Sequence, residues 1–176
     1  MILVIGPPDS GKSEIAEQLT QEYPDRRLYY LATMKIMDEE GRKRVARHRK
    51  QRSGRGFTTI ELTRDLTKAL SFIDDPDKAV VLLECVANLV ANEMYDDPAL
   101  SQASRSGAEG EKEFSKAVAE EIEALSRGVF ELIAVSAVYG PEDSDDKETR
   151  LYKKLIEMVN ITLKDRAESV IETGKG

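Results

Sequence analysis

Eight residues near the N-terminus have the types and spacing of a loop that holds phosphate groups. They are Gly6, Pro7, Pro8, Asp9, Ser10, Gly11, Lys12 and Ser13. Their order fits the pattern G-x-x-x-x-G-K-[ST] without a mismatch. In such a loop glycine lets the backbone curl, so that successive N–H groups face an anion. Lys12 can then reach the β- and γ-phosphates and Ser13 can bind Mg²⁺, which predicts a site for a nucleoside triphosphate.

The residues on either side of this loop support the prediction. A hydrophobic run at residues 2–5 precedes the loop, and a helical pattern over residues 12–22 follows it. The helix adds the positive end of its dipole. The alternative is a glycine turn that binds nothing, and Pro7 and Pro8 do remove backbone donors. Both prolines lie early in the loop, however, and the later donors remain, so phosphate binding is favoured.

Glu84 is the candidate for a second anchor of the metal. It ends the most strand-like segment of the chain, residues 79–83. In parallel sheets, ligands gather at the carboxyl ends of the strands, which is where Glu84 is expected. The alternative is a glutamate placed at a helix start because the helix dipole favours it there. Its position favours metal binding together with Ser13.

The single histidine, His48, lies in a basic segment at residues 44–52. Neighbouring cations are expected to keep the imidazole neutral and to attract phosphates. A neutral imidazole is a nucleophile or a base. The local sequence alone nevertheless favours a solvated histidine on a polar helix.

Apolar runs rich in β-branched residues alternate with helical patterns along the chain. Strands are predicted at residues 2–5, 28–32, 58–62, 79–83, 129–135 and 169–172, and a polar helical stretch at residues 33–52. This alternation predicts an α/β fold, with a mostly parallel sheet flanked by helices. We expect one domain over residues 1–176, in which residues 96–110, rich in Asp, Ser, Ala and Gly, form a surface loop.

The composition and charge of the chain argue against several classes of protein. The chain has 176 residues, a net charge of −7 and one cysteine, so no internal disulfide is possible. No apolar run approaches the roughly 20 residues that span a bilayer, and the first residues lack the pattern of a signal peptide. We therefore expect a cytoplasmic protein. The acidic charge argues against nucleic-acid binding, and the basic stretch at residues 42–55 suggests a site for a small anionic ligand.

Several segments resemble one known family, in order along the chain. They are residues 1–4 before the phosphate loop, Leu28-Tyr29-Tyr30-Leu31-Ala32-Thr33, the basic segment around His48, Ile60-Glu61, and Leu82-Leu83-Glu84-Cys85 with Asn92 beyond it. A phosphate loop alone is shared by many families, but this combination is much more specific. On these residues the first half of the chain resembles the bifunctional adenosylcobinamide kinase / adenosylcobinamide-phosphate guanylyltransferases of cobalamin biosynthesis.

The resemblance implies a P-loop NTPase fold with a recombinase-like (RecA-like) core, assembled as a homotrimer. It implies a kinase that phosphorylates adenosylcobinamide, a corrinoid, from GTP or ATP. It further implies a guanylyltransferase, in which a histidine takes GMP from GTP and passes it to cobinamide phosphate. Mg²⁺ and Lys12 would stabilise the departing pyrophosphate.

By the same resemblance His48 is the nucleophile, and a further set of residues contacts the nucleotide. That set comprises Ala32, Thr33, Met34, Arg49, Lys50, Gln51, Arg52, Glu61 and Glu84. The second half of the chain departs from the family pattern. Residues 136–140 replace a Thr-Asn-Glu-Val-Gly segment, and Asn160-Ile161 replaces an Asn-Gln pair.

Two other functions fit the same loop. One is a small-molecule kinase in which His48 is merely structural. The other is a regulatory module that binds nucleotides, or a module that binds nucleic acid with residues 42–55 as a helix that contacts phosphates. The overall acidity counts against the nucleic-acid version.

Overall fold

The computed structural model describes residues 1–36, 39, 41–43, 46, 54–140, 142 and 146–174. Within these residues six strands form one sheet. The strands are β1 (Ile2–Gly6), β2 (Arg27–Ala32), β3 (Phe57–Glu61), β4 (Ala79–Glu84), β5 (Glu131–Ala137) and β6 (Ser169–Glu172). Their order in the sheet is β3-β2-β4-β5-β1-β6, and each neighbouring pair is parallel. The predicted α/β fold with a parallel sheet is therefore confirmed.

Helices connect the strands and cover both faces of the sheet. They are α1 (Lys12–Thr20), α2 (Val86–Asp96), α3 (Pro98–Ser104), α4 (Ala108–Arg127) and α5 (Lys147–Arg166), with 3₁₀ turns at Leu66–Phe72 and Pro76–Lys78. None of the described helices is long and apolar enough to cross a membrane.

Alternate residues of the strands enter two separate cores. In β4, Val81 and Leu83 pack with residues of α2, α4 and α5 on one face of the sheet. Val80 and Leu82 point to the other face, where Ala16 of α1 packs on them. All four of these β4 side chains are 0% exposed. A strand buried on both faces must be apolar at every position, which explains the unbroken hydrophobic run in the sequence.

One predicted loop is wrong. Residues 96–110, expected as a surface loop, contain α3 and the first turn of α4. Asp97 caps α3, because its side chain accepts a hydrogen bond from the Leu100 amide at 2.8 Å. Pro98 occupies the first turn, where its missing N–H costs nothing. Asp97 and Pro98 are therefore the start signal of a short helix.

The predicted polar helix also begins later than expected. Residues 33–36 are not helical, and most of residues 37–53 lie outside the described part of the chain. The other predicted elements lie within about two residues of their observed positions, which is the usual accuracy for element ends.

A carboxyl group is buried where α2 faces α4. Glu93 is 4% exposed, and its Oε2 lies 3.8 Å from Nε of Arg64. The pKa of Glu93 is raised from 4.5 to about 7, chiefly by burial and next by the neighbouring carboxylate of Glu121, whereas Arg64 acts to lower it. Asp97 and Asp65 also act to raise it. The folded state therefore favours the neutral form of Glu93.

This burial predicts a pH-dependent stability. Because the folded pKa of Glu93 lies above its unfolded value, the folded state loses stability as pH rises from about 4.5 through about 7. Glu93→Gln removes the ionisable group. We therefore expect the change in the free energy of unfolding that this substitution causes to be more stabilising at pH 8 than at pH 5, by about 1–2 kcal/mol. Urea denaturation at both pH values measures this difference.

The matched control is Glu113→Gln, which changes an exposed glutamate of α4 in the same way. Its effect is expected to be the same at both pH values. An effect of Glu93→Gln that does not change with pH would contradict the assignment.

Candidate nucleotide-binding site

The phosphate loop joins the carboxyl end of β1 to the amino end of α1. Two of its residues have left-handed backbones, Asp9 with φ 58° and Gly11 with φ 77°. Such alternation turns successive N–H groups toward one side and forms a concave anion site. Gly11 is the N-cap of α1 and has no side chain to occupy the free amides of the first turn. Those amides and the helix dipole remain available to a phosphate.

The polar side chains of the loop are held by specific partners. The Lys12 ammonium donates a hydrogen bond to the Pro7 carbonyl at 2.9 Å, which folds the side chain over the loop. The Ser13 hydroxyl donates to Oε1 of Glu84. The Tyr30 hydroxyl donates to Oε2 of the same carboxylate at 3.3 Å. The sheet thus brings Ser13 and Glu84, both predicted from the sequence as metal ligands, into direct contact.

The contact between Ser13 and Glu84 fits the chemistry of Mg²⁺. Both groups supply oxygen, and Mg²⁺ in nucleotide sites takes one or two protein oxygens and completes its shell with phosphates and water. Among the described residues no group of three His, Cys, Asp or Glu side chains could hold a metal by itself. The oxygen atoms of Ser13 and Glu84 suit a Mg²⁺ ion that is bound together with a nucleotide.

A cleft of about 750 Å³ opens beside the loop. It is lined by Pro8, Asp9, Ser10, Gly11, Lys12, Ser13, Glu14, Glu17, Arg55, Glu84, Cys85, Val135, Ala137 and Tyr139. An ion pair between Arg55 and Glu17, which the sequence does not predict, lies in the wall of this cleft. Arg55 was visible only as part of a basic stretch, and nothing in the sequence indicates that it meets a residue of α1.

Cys85 lines this cleft but is not suited to be a nucleophile. Burial raises the pKa of its thiol to about 11. A thiol with such a pKa is protonated at neutral pH, and the thiolate is the reactive form.

A second cleft, of about 500 Å³, lies at the carboxyl ends of β2 and β3. Three of the predicted nucleotide contacts, Ala32, Met34 and Glu61, line it. It also contains Lys35, Ile36, Leu62, Thr63, Arg64, Asp65 and Lys68. These three predicted residues therefore share one cavity, next to the strand that ends in Glu84.

Thr33 lies between these residues in sequence, but its side chain is directed away from the cleft surface. It is 0% exposed. Its hydroxyl donates to the Cys85 carbonyl and accepts from the Cys85 amide, both at 2.8 Å. The Thr33 amide also donates to the Glu84 carbonyl at 3.1 Å. Thr33 thus ties the end of β2 to the end of β4 and fixes the backbone around Glu84.

Asn92 of α2 holds the two loops that wall the second cleft. Its amide group donates to the carbonyls of Thr33 and Thr63, each at 2.8 Å. Thr33 follows β2 and Thr63 follows β3, so one side chain connects both strand ends to the helix. Asn92 is 7% exposed and Thr33 is 0% exposed, so water has little access to the bond between them.

The remaining predicted residues are His48, Arg49, Lys50, Gln51 and Arg52. They lie outside the residues that the structure describes.

Comparison with known proteins identifies the family. The family model described as "Cobinamide kinase / cobinamide phosphate guanyltransferase" (CobU) matches residues 2–176 of the chain. The chain belongs to this family. The resemblance found in the sequence is thereby confirmed, and the family match includes the second half of the chain, where several family residues are replaced.

A curated relative supports the same family. The "Bifunctional adenosylcobalamin biosynthesis protein CobU" of Escherichia coli (strain K12) is 38% identical to the chain over 96 residues. The matched part covers 54% of this chain and 51% of the relative, so the match spans about half the length of the curated protein.

The double hydrogen bond of Asn92 predicts a large loss of stability on its removal. Asn92→Ala leaves the carbonyl of the buried Thr33, and that of Thr63, without this donor. We expect the free energy of unfolding to fall by about 1–3 kcal/mol, because the unpaired buried carbonyl carries a desolvation cost. Urea denaturation followed by circular dichroism measures the change.

Asn88→Ala is the matched control, since it shortens a half-buried asparagine on the same helix. Its expected effect is less than about 1 kcal/mol. Equal losses for the two variants would contradict the role of Asn92 in joining the loops.

Proposed function

We propose that this protein is an adenosylcobinamide kinase / adenosylcobinamide-phosphate guanylyltransferase that works through a guanylyl-histidine intermediate. The observation that carries the proposal is the family match over residues 2–176. The phosphate loop and its contact with Glu84 support it, because both activities need a bound nucleoside triphosphate.

In the kinase reaction, the hydroxyl of the aminopropanol arm of adenosylcobinamide attacks the γ-phosphorus of GTP or ATP. The bond between that phosphorus and the β–γ bridging oxygen breaks, and the nucleoside diphosphate leaves. The loop amides from Ser10 to Ser13 hold the phosphates in line, and Lys12 offsets the charge that grows on the leaving oxygen. For this the Lys12 ammonium exchanges the Pro7 carbonyl for phosphate oxygens.

In the guanylyl transfer, a ring nitrogen of His48 attacks the α-phosphorus of GTP and pyrophosphate leaves. The product is a phosphoramidate between His48 and GMP. An oxygen of cobinamide phosphate then attacks the same phosphorus, the P–N bond breaks, and the histidine is regenerated with adenosylcobinamide-GDP as product. Covalent catalysis in this form divides one transfer into two in-line displacements.

The nucleotide has a defined place in this proposal. The guanine is bound in the second cleft by Ala32, Met34 and Glu61, and the arginines at positions 49 and 52 meet the phosphates. Lys50 and Gln51 complete this segment. Ser13 and Glu84 would hold Mg²⁺, which would supply positive charge to offset the charge of the phosphates.

The test is transfer of label from GTP to protein. The chain is incubated with Mg²⁺ and GTP labelled on the α-phosphate, then denatured and analysed for bound label. We expect acid-labile, alkali-stable label on the unchanged chain and none on His48→Ala. Omission of Mg²⁺ is expected to abolish labelling as well.

Lys43→Ala is the matched control, because it removes an exposed cation from the same basic stretch and leaves the histidine in place. It is expected to keep most of the label. No label on the unchanged chain, with nucleotide binding intact, would contradict the guanylyltransferase and leave a small-molecule kinase built on the same loop.

We further propose that the protein acts as a homotrimer in the cytoplasm, as the family resemblance implies. Light scattering is expected to give three times the chain mass of 19.7 kDa. A monomer mass would contradict the trimer without affecting the proposed chemistry.

A further inference from the structure

The segment after the edge strand β6 lies against the phosphate loop. Thr173 directly follows β6 and is 9% exposed. Its hydroxyl lies 2.6 Å from the hydroxyl of Ser10, a hydrogen-bond distance. Its amide donates to the Ile5 carbonyl at 2.9 Å, which continues the pairing of β6 with β1. Residues 163 positions apart in sequence therefore meet at the centre of the loop.

The packing at this contact is close. A Cβ atom on Gly6 would lie 2.0 Å from the Thr173 hydroxyl oxygen and 3.0 Å from the Thr173 carbonyl oxygen. A Cβ atom on Gly174, whose φ is 76°, would lie 3.0 Å from the Pro7 ring. Gly6 and Gly174 have no Cβ atom, and this lets the segment around Thr173 pack closely against the phosphate loop.

The sheet fixes where Thr173 lies. Residues 169–172 of β6 pair in register with residues 2–5 of β1, and the Glu172 carboxylate meets the Lys164 ammonium of α5 at 2.7 Å. Thr173 is therefore anchored by the strand before it, and its hydroxyl has a defined place relative to the loop.

We infer that Thr173 is a positioning residue of the nucleotide site and acts through Ser10. Ser10 lies between the two left-handed residues Asp9 and Gly11, where the loop backbone turns its amides toward the anion. By holding the Ser10 hydroxyl, Thr173 keeps this turn in its binding conformation before the nucleotide arrives. A loop that already has its binding conformation binds the nucleotide more tightly, because less conformational entropy is lost when the nucleotide binds. The inference rests on the proposed nucleotide binding by this loop.

The test compares affinities for one probe, the fluorescent N-methylanthraniloyl derivative of GTP, with Mg²⁺ present. Thr173→Val keeps the side-chain shape and removes the hydroxyl. We expect it to weaken binding about five-fold, the size typical for loss of one hydrogen bond. Thr173→Ser, which keeps the hydroxyl, is expected to bind within about two-fold of the unchanged chain.

A double-mutant cycle separates positioning through Ser10 from a general effect on the fold. If Thr173 acts through Ser10, Ser10→Ala combined with Thr173→Val binds no more than about two-fold more weakly than Ser10→Ala alone. Thr162→Val is the matched control, because the Thr162 hydroxyl bonds to the Met158 carbonyl within α5. It is expected to leave the affinity unchanged. Thermal melting of each variant establishes that binding is measured on folded protein.

The outcomes distinguish the two proposals. If the unchanged chain binds the probe and Thr173→Val binds it equally well, the positioning role is wrong and the proposed function stands. If the effects of Ser10→Ala and Thr173→Val multiply independently, Thr173 does not act through Ser10 and the inference is wrong. If Thr173→Val does not fold, the affinities of Thr173→Ser and Ser10→Ala test the inference instead. A five-fold loss of affinity in Thr173→Ser, which keeps the hydroxyl, overturns it. If the unchanged chain binds no probe, both proposals fall.

Discussion

The hydrogen bond between the Ser13 hydroxyl and the Glu84 carboxylate is the contact around which the site is arranged. It joins the helix after β1 to the end of β4, although β5 lies between these strands in the sheet. The contact exists because the strands are parallel, so their carboxyl ends share one edge. If β1 or β4 ran in the opposite direction, the phosphate loop and the carboxylate would lie at opposite edges of the sheet. The direction of the strands therefore determines whether this chain has a nucleotide site.

Buried polar side chains hold the loops around that edge. Thr33 connects the ends of β2 and β4, and Asn92 connects the loops after β2 and β3 to α2. On the other side, Thr173 connects the end of β6 to the phosphate loop. Loops carry backbone groups that no strand partner satisfies, so side chains with donors and acceptors must pair them when they are buried. The same bonds that prevent unsatisfied groups also give the two clefts fixed walls.

The elements that the sequence predicted well are those with a strong local pattern. The unbroken apolar run of β4 leaves few alternatives to a buried strand, and the phosphate loop matches its pattern at every fixed position. The composition of residues 96–110 predicts a loop, but Asp, Ser, Ala and Gly also suit a short capped helix, which the structure has there. The side chain of Arg105 bonds to the Met94 carbonyl and to Glu148 of α5, so contacts distant in sequence stabilise this region.

The sequence by itself determined the chemistry of individual residues: a loop for phosphates, an acid at a strand end, and a histidine among cations. These follow from residue type and spacing, which are local properties. Only the tertiary structure decided which residues meet. It placed Glu84 on Ser13, Arg55 beside Glu17, and Thr173 on Ser10, and it directed the Thr33 side chain to Cys85. The physical reason is that the order of parallel strands in a sheet, which brings distant segments together, depends on packing over the whole chain.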